Sequence, residues 1–250
     1  MADTSKHMKG RITWRADFAP DLWSIRIAPE QPLSFKPGQY ATLGVMEDGV
    51  RPLERPYSIV SSPVEQEMEF FFELVPEGEL TPKLHKLGVG QEVLMRRACK
   101  GLFQLDRKSG HPKHFMLATV TGVAPYVSMV RTLARSPEPG LEITLLEVGS
   151  RSWELGYGEE LEKLAQEHSW FRFIPSVSRY WEDPNWRGER GRAEDLVRKY
   201  ADQFGMTPEN TTPYLCGHPN MIENAKGILL RAGWPKEGIK EEIYWVPQGI

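Results

Sequence analysis

Apolar residues recur along the chain with two rhythms, and the change falls near residue 110. Before it they form short runs rich in Val, Ile, Phe and Tyr: ITWRADF, LWSIRIA, QYATLGVM, RPYSIVSS, MEFFFELV and EVLMRRA. Turn residues separate these runs, at APD, APEQP, KPG, EDG, SSP and PEG. Such runs predict strands, and several short strands in quick succession predict a barrel or a sandwich. One helix is expected within LTPKLHKLGVG, where Leu80, Leu84 and Leu87 follow a helical spacing and Gly88 ends it.

The polar segment DRKSGHPKH breaks the pattern, and strands then alternate with helices. HFMLATV, EITLLEV, WFRFIPSV, YLCG and EEIYWV read as strands. PYVSMVRTLA, EELEKLAQEH, RAEDLVRKYADQF and NMIENAKGILLRAG read as helices. This alternation predicts a doubly wound parallel α/β sheet with its ligand crevice at the strand C-termini. The expected domains are residues 1–108 and 109–250, with no internal repeat and no low-complexity tract.

A net charge of -3 gives no general attraction to nucleic acid or to an anionic membrane. No apolar run approaches the ~20 residues of a membrane span. The first residues, MADTSKHMKG, lack the apolar core of a secretory signal, so a cytoplasmic location is expected. Two cysteines, Cys99 and Cys216, are too few for a disulfide framework or a four-cysteine iron–sulfur cluster, and no metal is expected.

The stretch ERPYSIVSS places a cation, Pro56, an aromatic and hydroxyls on a strand that a plain core would fill with Val, Ile and Phe. It suits a flat, partly anionic ligand; it also suits an edge strand blunted by Pro56. In ATVTGVAPY a strand turns into a helix through Thr119, Thr121 and Gly122, with Pro125 early in the helix. Small residues there admit a pyrophosphate to the helix start, although this is not GxGxxG. Ser150-Arg151 and Ser178-Arg179 end two strands, and Arg187, Arg190 and Arg192 precede a helix. Guanidinium groups at adjacent strand ends suit phosphate, and arginine near the second strand, just after Glu147, favours a 2′-phosphate and hence NADP(H). Cys216 reads as a small polarisable wall, and His218 as a turn residue.

FKPGQYATL, RPYS, PEGELTPKL, ATVTGVAP, SVSR and YLCGHPNM, in this order, resemble the ferredoxin–NADP⁺ reductase superfamily, especially its bacterial type, from about residue 10 to residue 245. The resemblance implies an N-terminal antiparallel β-barrel that binds FAD and a C-terminal NADP-binding sheet. It implies that Arg55 pairs with the FAD pyrophosphate, Tyr57 packs on the flavin after Pro56, and Ser58 lies near the reacting nitrogen. Gly78, Leu80 and Thr81 match the second pyrophosphate element. The nucleotide site falls on Thr119, Thr121, Gly122, Arg151, Ser178, Arg179, Arg192 and Cys216. The terminal E-x-aromatic pattern falls on Glu242 and Tyr244, with Trp245 able to pack on flavin or adenine. Val120 stands where the family's turn carries glycine, which is compatible if its φ is negative.

The implied activity is electron transfer between NADPH and a separate ferredoxin or flavodoxin, by a monomer. A reductase component of an oxygenase, a free-flavin reductase and a non-catalytic flavin or nucleotide sensor are the alternatives.

Overall fold

The computed structural model describes residues 6–47 and 51–244. The chain divides into two compact units, Met1–Gln104 with Val127–Thr132, and Leu105–Tyr126 with Leu133–Ile250.

The first unit holds β1 (His7–Ala19), β2 (Leu22–Pro29), β3 (Tyr40–Glu47), β4 (Arg51–Ser58), β5 (Met68–Glu73) and β6 (Glu92–Arg96). They form one antiparallel sheet in the order β4-β3-β6-β1-β2-β5. Just past β4, Ile59 bridges to Phe70 and the Val60 N–H donates to the Glu69 carbonyl at 2.8 Å. The two ends of the sheet thereby meet, and the expected barrel closes. The strand expected over RPYSIVSS stops at Ser58, because Ile59 and Val60 turn from β3 toward β5. Alternating positions point inward, and Ile12, Ile25, Ile27, Leu43, Phe70 and Met95 fill the core. Burying each such side chain contributes roughly 1.5–3 kcal/mol. Trp23 stacks on Phe72 at 5.1 Å and meets His85 edge-on at 4.7 Å.

The short helix α1 (Thr81–His85) is briefer than its leucine spacing suggests: Leu80 precedes it and Leu87 follows it. Leu80 and Leu84 are buried, while Leu87 packs only partly against the core. Arg15 of β1 ends the helix, its Nη1 donating to the His85 carbonyl at 2.6 Å and the Leu87 carbonyl at 2.8 Å. Helix ends leave such carbonyls open, and here a side chain from a strand takes them.

The second unit is built on β7 (Lys113–Thr119), β8 (Glu142–Gly149), β9 (Phe171–Val177), β10 (Glu189–Arg190), β11 (Thr211–Gly217) and β12 (Lys240–Ile243). All are parallel, in the order β10-β9-β8-β7-β11-β12. The helices are α2 (Ala124–Arg135), α3 (Gly158–Glu167), α4 (Ala193–Gln203) and α5 (Pro219–Arg231). The chain starts at β7, builds outward to β10, then returns to place β11 on the other side of β7. Strand order reverses between β7 and β11, where sheets of this kind take ligands. Leu117, Leu146, Val148, Val197, Leu215 and Ile222 share one core cluster. Strands covered on both faces read as continuous apolar runs, hence FMLA and ITLL. A carboxylate in β8 breaks this rule. Glu147 of β8 is fully buried, and neither carboxyl oxygen has a hydrogen-bond partner among the described residues. No helix among the described residues is long and apolar enough to cross a membrane.

Candidate functional site

In the first unit, β4 carries Arg55, Pro56, Tyr57 and Ser58 opposite Leu43, Thr42, Ala41 and Tyr40 of β3. Arg55 is exposed, with Nη2 on Glu79 Oε2 at 3.1 Å and Nη1 donating to the Glu54 carbonyl at 2.9 Å. Glu79 lies between Gly78 and Leu80, so this pair joins the two elements expected to hold one pyrophosphate. Nothing in the sequence singles out Glu79; a lone carboxylate in a turn carries no signal of its partner. Tyr57 is half-buried, its ring edge-on to Phe72 at 4.7 Å, and burial pushes its hydroxyl pKa up against the opposing pull of Arg55. Ser58 is buried. Thr81 Oγ1 accepts from the Val75 N–H at 3.0 Å and lies 3.3 Å from the Val75 carbonyl, closing the turn that contains Gly78. A Cβ on Gly78 would sit 3.0 Å from that carbonyl. No side chain caps the start of α1 among the described residues. The set, an exposed guanidinium paired with Glu79 beside a turn with no side-chain cap, fits a diphosphate.

In the second unit the tips of β7 and β11 interlock. Thr119 Oγ1 accepts from the His218 N–H at 2.7 Å. A Cβ on Gly217 would meet that oxygen at 2.1 Å, and Gly217 has a φ of +132°. A Cβ on Gly122 would meet the Cys216 carbonyl at 2.3 Å. Only glycine fits either place, because the tips of β7 and β11 press against each other there. The connection itself is a 3-10 turn over Val120–Val123, leading into α2. The condition for a relaxed Val120 is not met: its φ is +45°, in the left-handed region where a β-branched side chain is strained. His218 is the N-cap of α5, its Nδ1 accepting from the Asn220 N–H at 3.1 Å, as a turn residue should.

Cys216 is fully buried beside Ala118 and pairs in register with Glu242 of β12. Its thiol donates to the Tyr244 hydroxyl at 3.2 Å. Burial, and next the Glu242 charge, hold the thiol far above its usual pKa, so it stays protonated and is no nucleophile. β12 ends at Ile243, one residue before Tyr244, which is exposed. Trp245 lies outside the described residues.

The strand-end arginines are brought together, with unexpected companions. The Ser178 N–H donates to the Gly149 carbonyl at 3.0 Å, and the Arg179 N–H to the Ser150 carbonyl at 2.9 Å. Arg151 binds Glu182 through Nε at 2.7 Å and Nη2 at 2.6 Å, and its Nη1 lies 3.4 Å from Glu154. Arg192 is the N-cap of α4, next to Gly191, whose carbonyl accepts from Ser176 Oγ at 2.9 Å. Arg190 lies over the Tyr180 ring at 4.7 Å. Neither Glu154 nor Glu182 was expected in this constellation.

An antiparallel barrel followed by a doubly wound parallel sheet, with polar elements at β4 and at the β7/β11 switch point, defines the reductase fold class. The oxidoreductase NAD-binding domain family matches residues 116–227. The ferredoxin–NADP reductase of Pseudomonas aeruginosa is 33% identical over 225 residues, 83% of this chain and 83% of that protein. The flavodoxin/ferredoxin–NADP reductase of Rhodobacter capsulatus is 32% identical over 92% of this chain and 90% of its own length. A crystal structure of a ferredoxin NADP⁺ reductase from Neisseria gonorrhoeae with bound FAD and NADP superposes with a TM-score of 0.83 at 25% identity. It covers 96% of this chain and 99% of that one. The chain belongs to the ferredoxin/flavodoxin–NADP reductase family of oxidoreductases.

Proposed function

We propose that the chain moves electrons between NADPH and a separate ferredoxin or flavodoxin, with FAD held by residues 1–108 and the nicotinamide nucleotide by residues 109–250. FAD, when bound, exchanges electrons in pairs with a nicotinamide and singly with a protein carrier. The chain's own residues bind and orient. Arg55, only partly neutralised by Glu79, is available to a diphosphate oxygen, and the uncapped start of α1 beside Gly78 favours the same charge. Tyr57 offers a ring whose tilt is fixed by Phe72. Ser58 supplies a hydroxyl two residues beyond Pro56.

Thr119, Thr121 and Gly122 form the nucleotide turn, and Arg151, Ser178, Arg179 and Arg192 take the 2′-phosphate. Cys216 serves as a neutral, polarisable wall, which is why its proton is held by burial and shared with the Tyr244 hydroxyl. Glu242 lies beside it in register and Tyr244 covers the flavin face.

The observation that carries this reading is the Arg55–Glu79 pair. It couples the RPYS strand to the Gly78–Thr81 turn and leaves the Arg55 side chain 55% exposed. The test is an anaerobic titration of the purified yellow protein with NADPH, followed by addition of ferredoxin or flavodoxin. Bleaching of the flavin absorbance, and its recovery on adding the carrier, is expected. Colourless protein that takes up no FAD defeats the reading. Flavin that NADPH does not bleach indicates a sensor, and bleached flavin that passes electrons to neither carrier assigns the chain to another acceptor.

A further inference from the structure

The loops after β8 and β9 carry the same five-residue pattern, Ser-Arg-x-Trp-Glu. It reads Ser150-Arg151-Ser152-Trp153-Glu154 in one and Ser178-Arg179-Tyr180-Trp181-Glu182 in the other. This short internal repeat corrects the expectation of none. Each copy leaves its strand and enters a single 3-10 turn, Ser152–Glu154 and Tyr180–Glu182. The copies dock side by side through the Arg179 N–H and the Ser150 carbonyl, and through Ser152 Oγ, which donates to Asp183.

Their glutamates do different things. Glu154 folds back on its own copy and accepts from the Ser150 N–H at 2.6 Å. Glu182 crosses to the other copy. One of its oxygens takes both Nε and Nη2 of Arg151, while the other lies 3.8 Å from Arg179 Nη1. A single anion thus stands between the two arginines that would converge on a phosphate. Its geometry on Arg151 is that of a charge-assisted pair. The side chains of Arg151 and Glu182 remain 30% and 34% exposed, so a ligand can reach them.

We propose that Glu182 is an internal competitor for the 2′-phosphate, and that it sets how strongly this site prefers a 2′-phosphorylated adenine nucleotide over one with a free 2′-hydroxyl. The proposal rests on the nucleotide-binding reading above. A nucleotide with a 2′-hydroxyl leaves the Glu182–Arg151 pair in place. One with a 2′-phosphate displaces the carboxylate, so the loss of one ion pair offsets part of the gain from another. The preference for phosphate is therefore weaker than the number of arginines implies.

The experiment is calorimetric titration of the FAD-loaded protein with two probes, ADP and adenosine 2′,5′-bisphosphate. Glu182→Gln keeps the shape and removes the charge. It is expected to raise the ratio of bisphosphate to ADP affinity by about threefold or more, the size of a partly exposed ion pair. Asp183→Asn removes an equal charge from the same loop, but Asp183 accepts from Ser152 and not from an arginine in the hydrogen bond described. It is expected to change the ratio by less than twofold. An unchanged ratio in Glu182→Gln, with both probes still binding, overturns the competitor. So does an equal rise in Asp183→Asn, which reduces the effect to general field. If neither probe binds the parent or the variants, the nucleotide site itself is wrong and the competitor falls with it.

Discussion

Replacing Glu147 with glutamine isolates a pH-dependent weakness in the centre of the parallel sheet. Burial without any hydrogen-bond partner among the described residues pushes the Glu147 carboxyl up from 4.5 to about 8. The folded chain therefore holds this proton over a range where the unfolded chain has lost it. Between pH 4.5 and 8 the folded state binds more protons, so stability falls as pH rises and levels off above the folded value. From pH 4.5 to 7 is two and a half units, and each unit is worth about 1.4 kcal/mol, so Glu147 alone removes roughly 3.5 kcal/mol by neutrality. At about 2–4 °C per kcal/mol for a chain of this size, that is a Tm difference of roughly 7–14 °C. Glutamine has the same shape and cannot ionise. Its own buried amide shifts the baseline, so the quantity to follow is the pH slope. Thermal melts of parent and Glu147→Gln at pH 5, 6, 7 and 8 should diverge progressively, with the variant gaining relative to the parent as pH rises. Parallel curves would refute the argument, and would mean that the carboxyl finds water or a partner in solution.

Val120→Gly relieves the left-handed backbone that costs a side chain about 1–2 kcal/mol, while glycine's extra unfolded freedom offsets about 0.5–1 of it. Urea denaturation should show a variant as stable as the parent or up to about 1.5 kcal/mol more so; a clear loss would mean that the isopropyl group packs too well to remove. Tyr244→Ala takes away the ring proposed to cover the flavin and the hydroxyl that accepts from Cys216. NADP⁺ binding, followed by difference spectroscopy, should tighten severalfold, and an unaltered affinity would remove Tyr244 from that role.

The architecture was legible because the strands follow the physics of what covers them. Alternation in LWSIRIA marks a sheet with one face inward, and the unbroken apolar run of FMLA marks a strand covered on both sides. The candidate site was legible where a residue's chemistry suggests a ligand, as in Arg55 beside Tyr57 or the serine–arginine pairs at strand ends, which the fold sets next to each other. It was not legible where a side chain's meaning depends on a distant partner. Glu182 reads as one more surface carboxylate until the fold brings it to Arg151, 31 residues away. Glu79 is the same case, 24 residues from Arg55. The conformation of Val120 was also hidden. Nothing in the local sequence demands a positive φ there, and valine is a residue that ordinarily avoids it.

Arg15 reaches from β1 to hold the His85 and Leu87 carbonyls, so the short helix is braced from behind, by a framework strand and not by any guest. A loop anchored this way keeps its outline when empty. If this turn holds the FAD diphosphate as proposed, loss of FAD is expected to leave its outline in place, so that reloading needs docking and little ordering.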